Sequence, residues 1–433
     1  MLICGDDVIG SLLYAIETTV VEWSNQINEI LAQDSGQPVA EGQAPMPMYE
    51  YDFWNQRMTC MHDIYDQLVH PKVKKMASIL EEHQSAYAAP FKEMFKKVVR
   101  AVVESETIVA FLTPLINYLG ELENTQFDEV KPSIQPIVHI LALIWVNCEY
   151  YRKTERMVII ITEIGNLLIQ QARLFLDPSE CIKEEPEEAM KKLNKSIEIF
   201  KHFRKVVEDY RTNVKESCNE QNVEPSEWVF HSSWVFGRVD AFVERLEMIR
   251  AYFLTNIDYN RLEKVEALGV VGAVLSSRLA QIYEEYLEAY KKFTDASMDC
   301  LSTDDDTFLN ALKEYNKTIE QFDHRLCTII LKSFMHSGTV CGMFKTIYMY
   351  GPLLERPLIA PSFEPCYKQL LEGLHGELDE CKLVLDSHLD DETLMKKAIC
   401  KSLPPSAGAM VWCLQILRRA QAAMKPLKHV DHP

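Results

Sequence analysis

The residues able to do chemistry in this chain are scattered, and their spacing completes no catalytic set. Pro365-Cys366 and His375-Gly376-Glu377 contain halves of a zinc-deaminase signature, in which His and Cys ligate the metal and Glu moves a proton. Here the order is reversed and the second cysteine is missing. A phosphate loop needs GxxxxGK[ST], and the nearest glycine pairs, Gly269 with Gly272 and Gly338 with Gly342, lack the lysine that would reach a phosphate. Neither HExxH nor a GxSxG elbow occurs. The acidic run Asp304 to Asp306 suggests calcium, but the loop glycine and terminal glutamate of an EF-hand are absent, so capping of a following helix explains it better. The 12 cysteines stand singly, with no CxxC pair, and read as reduced, mostly buried thiols of a cytosolic protein. No catalytic, cofactor-binding or metal-ligating residue is assigned, no cofactor is expected, and the sequence reads as that of a protein that is not an enzyme.

What remains is surface chemistry. Acidic side chains outnumber basic ones 64 to 45, a net charge of -19, which repels nucleic acid and points to protein partners. One local exception is Lys92, Lys96 and Arg100, four apart on one helix face. This row is either a docking patch for an acidic partner or a solvated face, the plainer reading. Asp6 and Asp7 follow Met1 within a turn, so neither a secretion leader nor an anchor is expected.

The elements that must carry these surfaces are helices. At 433 residues, with 47% apolar content and only 15 glycines, the chain exceeds one usual core and disfavours glycine-rich turn architectures. The densest apolar stretch, Ile134 to Leu176, organises the rest. Within it Met157, Ile160, Ile161, Ile164, Leu168 and Phe175 recur at helical spacing. Ile159, Leu167, Ile169 and Leu174 widen that face, so this helix must be covered from more than one side. The run Pro136 to Cys148 is too short for a membrane span, carries His139, and ends in polar Glu149 to Lys153. The β-branched run Val158 to Ile161 sits inside continuing helical spacing.

Other amphipathic segments follow the same logic. Leu13, Ile16, Val20, Ile27 and Leu31 share one side; Phe53, Trp54, Met58, Met61, Ile64, Tyr65 and Leu68 another, ended by His70-Pro71. The connector Asp34 to Glu50, with three prolines and two glycines, is expected to be irregular. Pro186 with four glutamates around it suits a helix start. Leu193 to Tyr210 and Phe236 to Phe253 continue the pattern, with polar Arg211 to Glu227 as the best domain boundary. Phe308, Leu312, Tyr315, Ile319, Phe322, Leu326 and Ile329 form a heptad seam, for an antiparallel bundle within the chain or a coiled coil between chains. Glu355 to Pro365 reads as a proline-pinned connector, followed by helices at Tyr367 to Asp386, near Leu394, and around Met410, Leu414 and Leu417. Trp54, Trp228, Trp234 and Trp412 read as packing anchors. The fold class is all-α, an elongated array of stacked helical bundles, in three segments: 1–176, 177–300 and 301–433.

Several strings, in order, resemble the N-terminal tail, or stem, of axonemal dynein heavy chains. They are EWSNQI (Glu22 to Ile27), YDFWNQR (Tyr51 to Arg57), IYDQL (Ile64 to Leu68), IWVNCEYY (Ile144 to Tyr151), Glu155-Arg156-Met157, and NLLI from Asn166. WVFHSSWVFGRVDAFVERL (Trp228 to Leu246), LEKVE from Leu262, FDHRL from Phe322, GPLLERPLI from Gly351 and LPPSAGAMVW from Leu403 follow. The resemblance implies a rod of stacked helical bundles without a nucleotide site. Such a stem holds dynein intermediate chains, meets other dynein heavy-chain tails, and ties the motor to docking proteins on doublet microtubules in the axoneme of a cilium or flagellum. ATP hydrolysis would belong to a motor region that these residues do not include. Two departures stand out: Ala267-Leu268-Gly269 replaces a usual double glycine, with Val271 where a basic residue is expected, and Leu414 replaces another basic residue. A helical-rod adaptor such as a vesicle-tethering subunit is the alternative; it shares the length, acidity and all-α character.

Overall fold

Long one-faced apolar patterns with little glycine leave helices packed on helices as the stable solution. The computed structural model describes residues 4–218, 230–266, 271–296, 298–387 and 403–425, and among them there are helices and turns but no strand. In chain order the helices are α1 (Cys4–Leu31), α2 (Gln37–Ala40), α3 (Pro47–Val69), α4 (Pro71–Glu82), α5 (Ala88–Asn124), α6 (Lys131–Asn147) and α7 (Thr154–Leu176). Then come α8 (Pro186–Cys218), α9 (Ser232–Asn260), α10 (Gly272–Thr294), α11 (Thr307–Met335), α12 (Val340–Tyr350), α13 (Ala360–Asp386) and α14 (Pro405–Met424).

These helices cluster in two compact units, Met1–Arg250 with Cys300–Thr303, and Ala251–Asp299 with Asp304–Pro433. Packing thus divides the chain within α9, a different place from the connectors that suggested segments 1–176, 177–300 and 301–433. In the first unit α3 packs on α5, α5 on α6, α6 and α7 on α8, and α1 on α4 and α5. In the second, α10 packs on α11, α11 and α12 on α13, and α13 on α14. The candidate boundary at Arg211 to Glu227 begins inside α8 and otherwise lies outside the described residues, as do Trp228, Leu268 and the helix expected near Leu394.

The central stretch is two helices. α6 ends at Asn147, a turn spans 148–153, and α7 follows with Met157, Ile160, Ile161, Ile164, Leu167 and Leu168 all buried. α7 is long and apolar enough to cross a membrane by length and composition, but 61% of its most apolar window is buried inside the protein, as a core helix requires. Gly165 lets α9 come close, since a Cβ there would stand 3.0 Å from Val239 Cγ2. Leu174, expected to widen the core face, is 77% exposed. The buried stripe runs through Leu168, Ala172 and Leu176, and Leu174 stands about 200° around the helix from its neighbours two positions away.

The heptad seam is fully internal: Phe308, Leu312, Tyr315, Ile319, Phe322, Leu326 and Ile329 of α11 are all buried in the second unit. That is the bundle alternative, with α10 as a partner. α13 begins at Ala360, earlier than the expected Tyr367, and carries Pro365 inside it. Pro361 lies in its first turn, where a missing N–H costs nothing. The connector after Asp34 holds the short α2 and yields to α3 at Pro47, before the expected Tyr51.

Trp145 is 2% exposed at the end of α6. Replacing Trp145 with Ala should cost about 3 to 5 kcal/mol, read as a lowered urea midpoint by circular dichroism. Leu174→Ala, on the exposed side of α7, should change the midpoint by no more than about 0.5 kcal/mol.

Candidate functional site

The candidate chemical residues do not converge. His375 and Cys366 lie on the same helix, α13, nine positions apart, or about 13 Å along its axis. His375 Nδ1 is 2.8 Å from the carbonyl of Leu371, and Cys366 is buried. Among the described residues no three His, Cys, Asp or Glu side chains are grouped to hold a metal. Asp305 accepts from the Thr307 N–H at 2.9 Å and the Thr307 hydroxyl at 2.8 Å just ahead of α11, while Asp306 at the N-cap position makes no side-chain capping bond, so the acidic run ties the entry to the helix through Asp305. The Gly342 N–H donates to the Thr339 hydroxyl at the start of α12, and Gly338 takes φ +63° in the preceding turn, so this glycine pair makes a helix start. Gly269 lies outside the described residues. Among the described cysteines, Cys148, Cys181, Cys300, Cys366 and Cys381 are buried, while Cys341 and Cys413 are exposed.

What converges instead is buried polar structure built from the strings singled out in the sequence. In the first unit Glu50, 1% exposed, gathers three donors on one oxygen. These are the Tyr151 hydroxyl at 2.6 Å, the Trp54 indole N–H at 3.0 Å and the Ser35 hydroxyl at 3.1 Å. Tyr150 packs edge-on against Trp54, with ring centres 4.7 Å apart, and the Arg156 guanidinium lies 5.0 Å over Tyr150 while binding Asp34 with both terminal nitrogens. That ion pair holds the Asp34 carboxyl below its ordinary value, against its partial burial. Asn166 donates to the carbonyl of Pro45 at 3.0 Å. Arg57 donates to the carbonyls of Ile30, Leu31 and Gln33 at 3.2, 3.0 and 3.1 Å, closing the C-terminus of α1 where a cation suits the helix dipole. YDFWNQR, CEYY and the following Glu-Arg-Met therefore meet in space and fasten the connector 32–46.

The second unit repeats the device. Arg356 grips Asp323 with Nε and Nη2 at 2.7 and 2.9 Å, and reaches Asp258 at 3.4 Å. Tyr259 donates its hydroxyl to Asp323 at 2.8 Å under the guanidinium, 5.0 Å from its ring. Burial opposes the charge on Arg356, and the carboxylates with Tyr259 more than offset it, leaving the guanidinium above its ordinary value. For Asp258 burial outweighs Arg356, so its carboxyl is pushed up. Beside this pair, the amide oxygen of Asn256 accepts from the hydroxyls of Tyr286 at 3.1 Å and Tyr315 at 2.9 Å. FDHRL and GPLLERPLI are thus two halves of one buried ion pair, and removing one partner of such a pair costs about 3 to 5 kcal/mol.

Sequence reasoning did not single out Glu50, Glu163, Asp323 or Arg356. Glu163 carried a signal: it stands three residues after Ile160 and four before Leu167, inside the apolar face of α7. It is fully buried and both carboxylate oxygens lack a hydrogen-bond partner. Burial, with the Glu50 carboxylate second, pushes its pKa up to about 10. The tryptophans divide. Trp54 is 3% exposed, Trp234 is 66% exposed and is no packing anchor, and Trp412 is half-buried. Trp234 faces away because α9 turns Val235, Phe236 and Val239 inward, and a residue two before Phe236 lies about 200° around the helix. Val271, one of the two departures, has φ −92° before α10, and Leu414 is exposed on α14 between Met410 and Leu417.

The model of the family described as dynein heavy chain, N-terminal region 1, matches residues 13–433. The chain is 36% identical over 432 residues to the ciliary dynein beta chain of Heliocidaris crassispina, covering 99% of this chain and 10% of that one. It is 35% identical over 429 residues to human dynein axonemal heavy chain 9, again 99% and 10%. Against the flagellar outer-arm dynein beta chain of Chlamydomonas reinhardtii it is 29% identical over 417 residues, 96% and 9%. The chain spans about a tenth of the length of these relatives.

The Glu163 carboxyl gives a test with a definite sign. Its folded pKa is raised, so its contribution to stability is greatest below the unfolded value and is lost as pH rises toward about 10. Glu163→Gln should therefore raise stability by about 3 kcal/mol at pH 7, and by progressively less toward pH 4.5. Urea midpoints of both proteins across that range check it.

Proposed function

The chain belongs to the dynein heavy-chain N-terminal region family, and on that premise we propose that it is a non-catalytic stem segment of an axonemal dynein. Its role is to hold the complex together and anchor it in the axoneme of a cilium or flagellum. The supporting observation is the family match across residues 13–433, in relatives named as axonemal, ciliary and flagellar.

The partners in this reading are dynein intermediate chains, other dynein heavy-chain tails and docking proteins on doublet microtubules. Physical chemistry supports an indirect attachment. A surface with net charge -19 is repelled by an acidic lattice, so intermediary proteins are the better contacts. The buried ties support a structural role too, because they hold interaction faces in fixed relation within each unit instead of shaping a reaction centre.

Titration calorimetry of the purified chain tests this reading. A recombinant dynein intermediate chain should give saturable heat, and MgATP none. Heat with MgATP, or none with any intermediate chain or heavy-chain tail, would overturn it.

A further inference from the structure

In an acidic chain, residues 72–100 carry seven basic side chains against three acidic ones, and this segment surrounds a half-open apolar cavity. The cavity holds about 200 Å³ and is floored by Leu68, Leu80, Phe91 and Phe95, with Lys74 and Lys92 on its wall. It exceeds the roughly 150 Å³ that admits a benzene ring in a protein interior. From its Phe95 side, Val99 and Val103 follow at four-residue steps along α5, 36% and 57% exposed. Beside that apolar row run Lys92, Lys96 and Arg100, all exposed.

Lys92 pairs with Glu81 at 3.4 Å and Lys96 with Glu93 at 3.3 Å, all four side chains more than half exposed. Such pairs exchange partners at little cost. Lys74, Lys97 and Arg100 have no ion-pair partner among the described residues.

We propose that the α4–α5 surface is a docking groove for an amphipathic acidic helix of a partner protein, one apolar side chain of which enters the cavity. The four-residue spacing of Phe95, Val99 and Val103 is a helix ridge, and it fits the groove of another helix. A peptide added as a β-strand would need an open sheet edge, which the described residues do not offer. From Lys92 to Val103 the row is about 16 Å long, roughly three turns of a partner helix. Charge selects the partner: a second copy, with net charge -19, is repelled as a whole, while a short acidic helix meets the basic row. Glu81 and Glu82 at the end of α4 and Glu93 within α5 stand among these cations and disfavour a uniformly anionic bilayer. This assignment goes beyond the stem reading and does not rest on it.

Selection of a phage-displayed dodecapeptide library on the full chain tests it. Enriched peptides should place apolar residues at three- and four-residue steps between Asp and Glu, and bind less tightly in high salt. Ala77→Trp, which fills the cavity, should weaken them about tenfold or more, as should Lys92→Glu with Lys96→Glu and Arg100→Glu. The triple variant changes only exposed positions, so it carries the test if the tryptophan variant misfolds by circular dichroism. Absence of enrichment, peptides indifferent to the triple variant, or capture of the chain by phosphatidylserine vesicles with no peptide selected would each overturn the proposal.

Discussion

A single carboxylate oxygen on Glu50, buried and met by the Tyr151, Trp54 and Ser35 donors, fixes how the first unit closes. Apolar stripes alone bring helices together but leave them free to slide, because dispersion and hydrophobic burial are nearly non-directional. A buried carboxylate is different, since any shift that loses a donor leaves charge unsatisfied at a cost of about 1 to 3 kcal/mol or more. The connector 32–46 has little regular structure of its own, yet Asp34, Ser35 and the Pro45 carbonyl are each held to α3, α7 or the turn before α7. In the second unit Arg356 and Asp323 do the same for the chain after α12, which ends in a glycine at φ +43°.

These ties explain what the recognisable strings are for. Trp54, Arg57, Tyr150, Tyr151 and Arg156 come from three strings, with Trp54 and Arg156 102 residues apart in sequence, and they converge in one place. Glu163 stands in the same region without such a tie: its carboxyl is buried and neither oxygen has a hydrogen-bond partner.

The helices were legible because their signal is local. The seam from Phe308 to Ile329 and the face from Met157 to Leu168 need only a period to be read, and both are buried as the period requires. Leu174 and Trp234 misled because a large apolar side chain near a helix end belongs to the core only if the stripe reaches it. Asp323 with Arg356, 33 residues apart, left no periodic trace, and a charged residue beside a proline reads as a solvated loop until its partner is seen. The basic row of α5 was legible as charge. The apolar cavity beside it was not, because it is made by residues of several helices.

A framework of this kind acts through the faces it holds in place, so its most direct test is where it resides and what leaves with it. Cilia or flagella are stripped with detergent and the remaining axonemes extracted with salt, and each fraction is blotted with an antibody to Lys183–Asn213. A stem segment should give its signal in the salt extract, co-sedimenting with dynein intermediate chains. A signal confined to the detergent-released membrane fraction would contradict it and favour a tethering role at membranes.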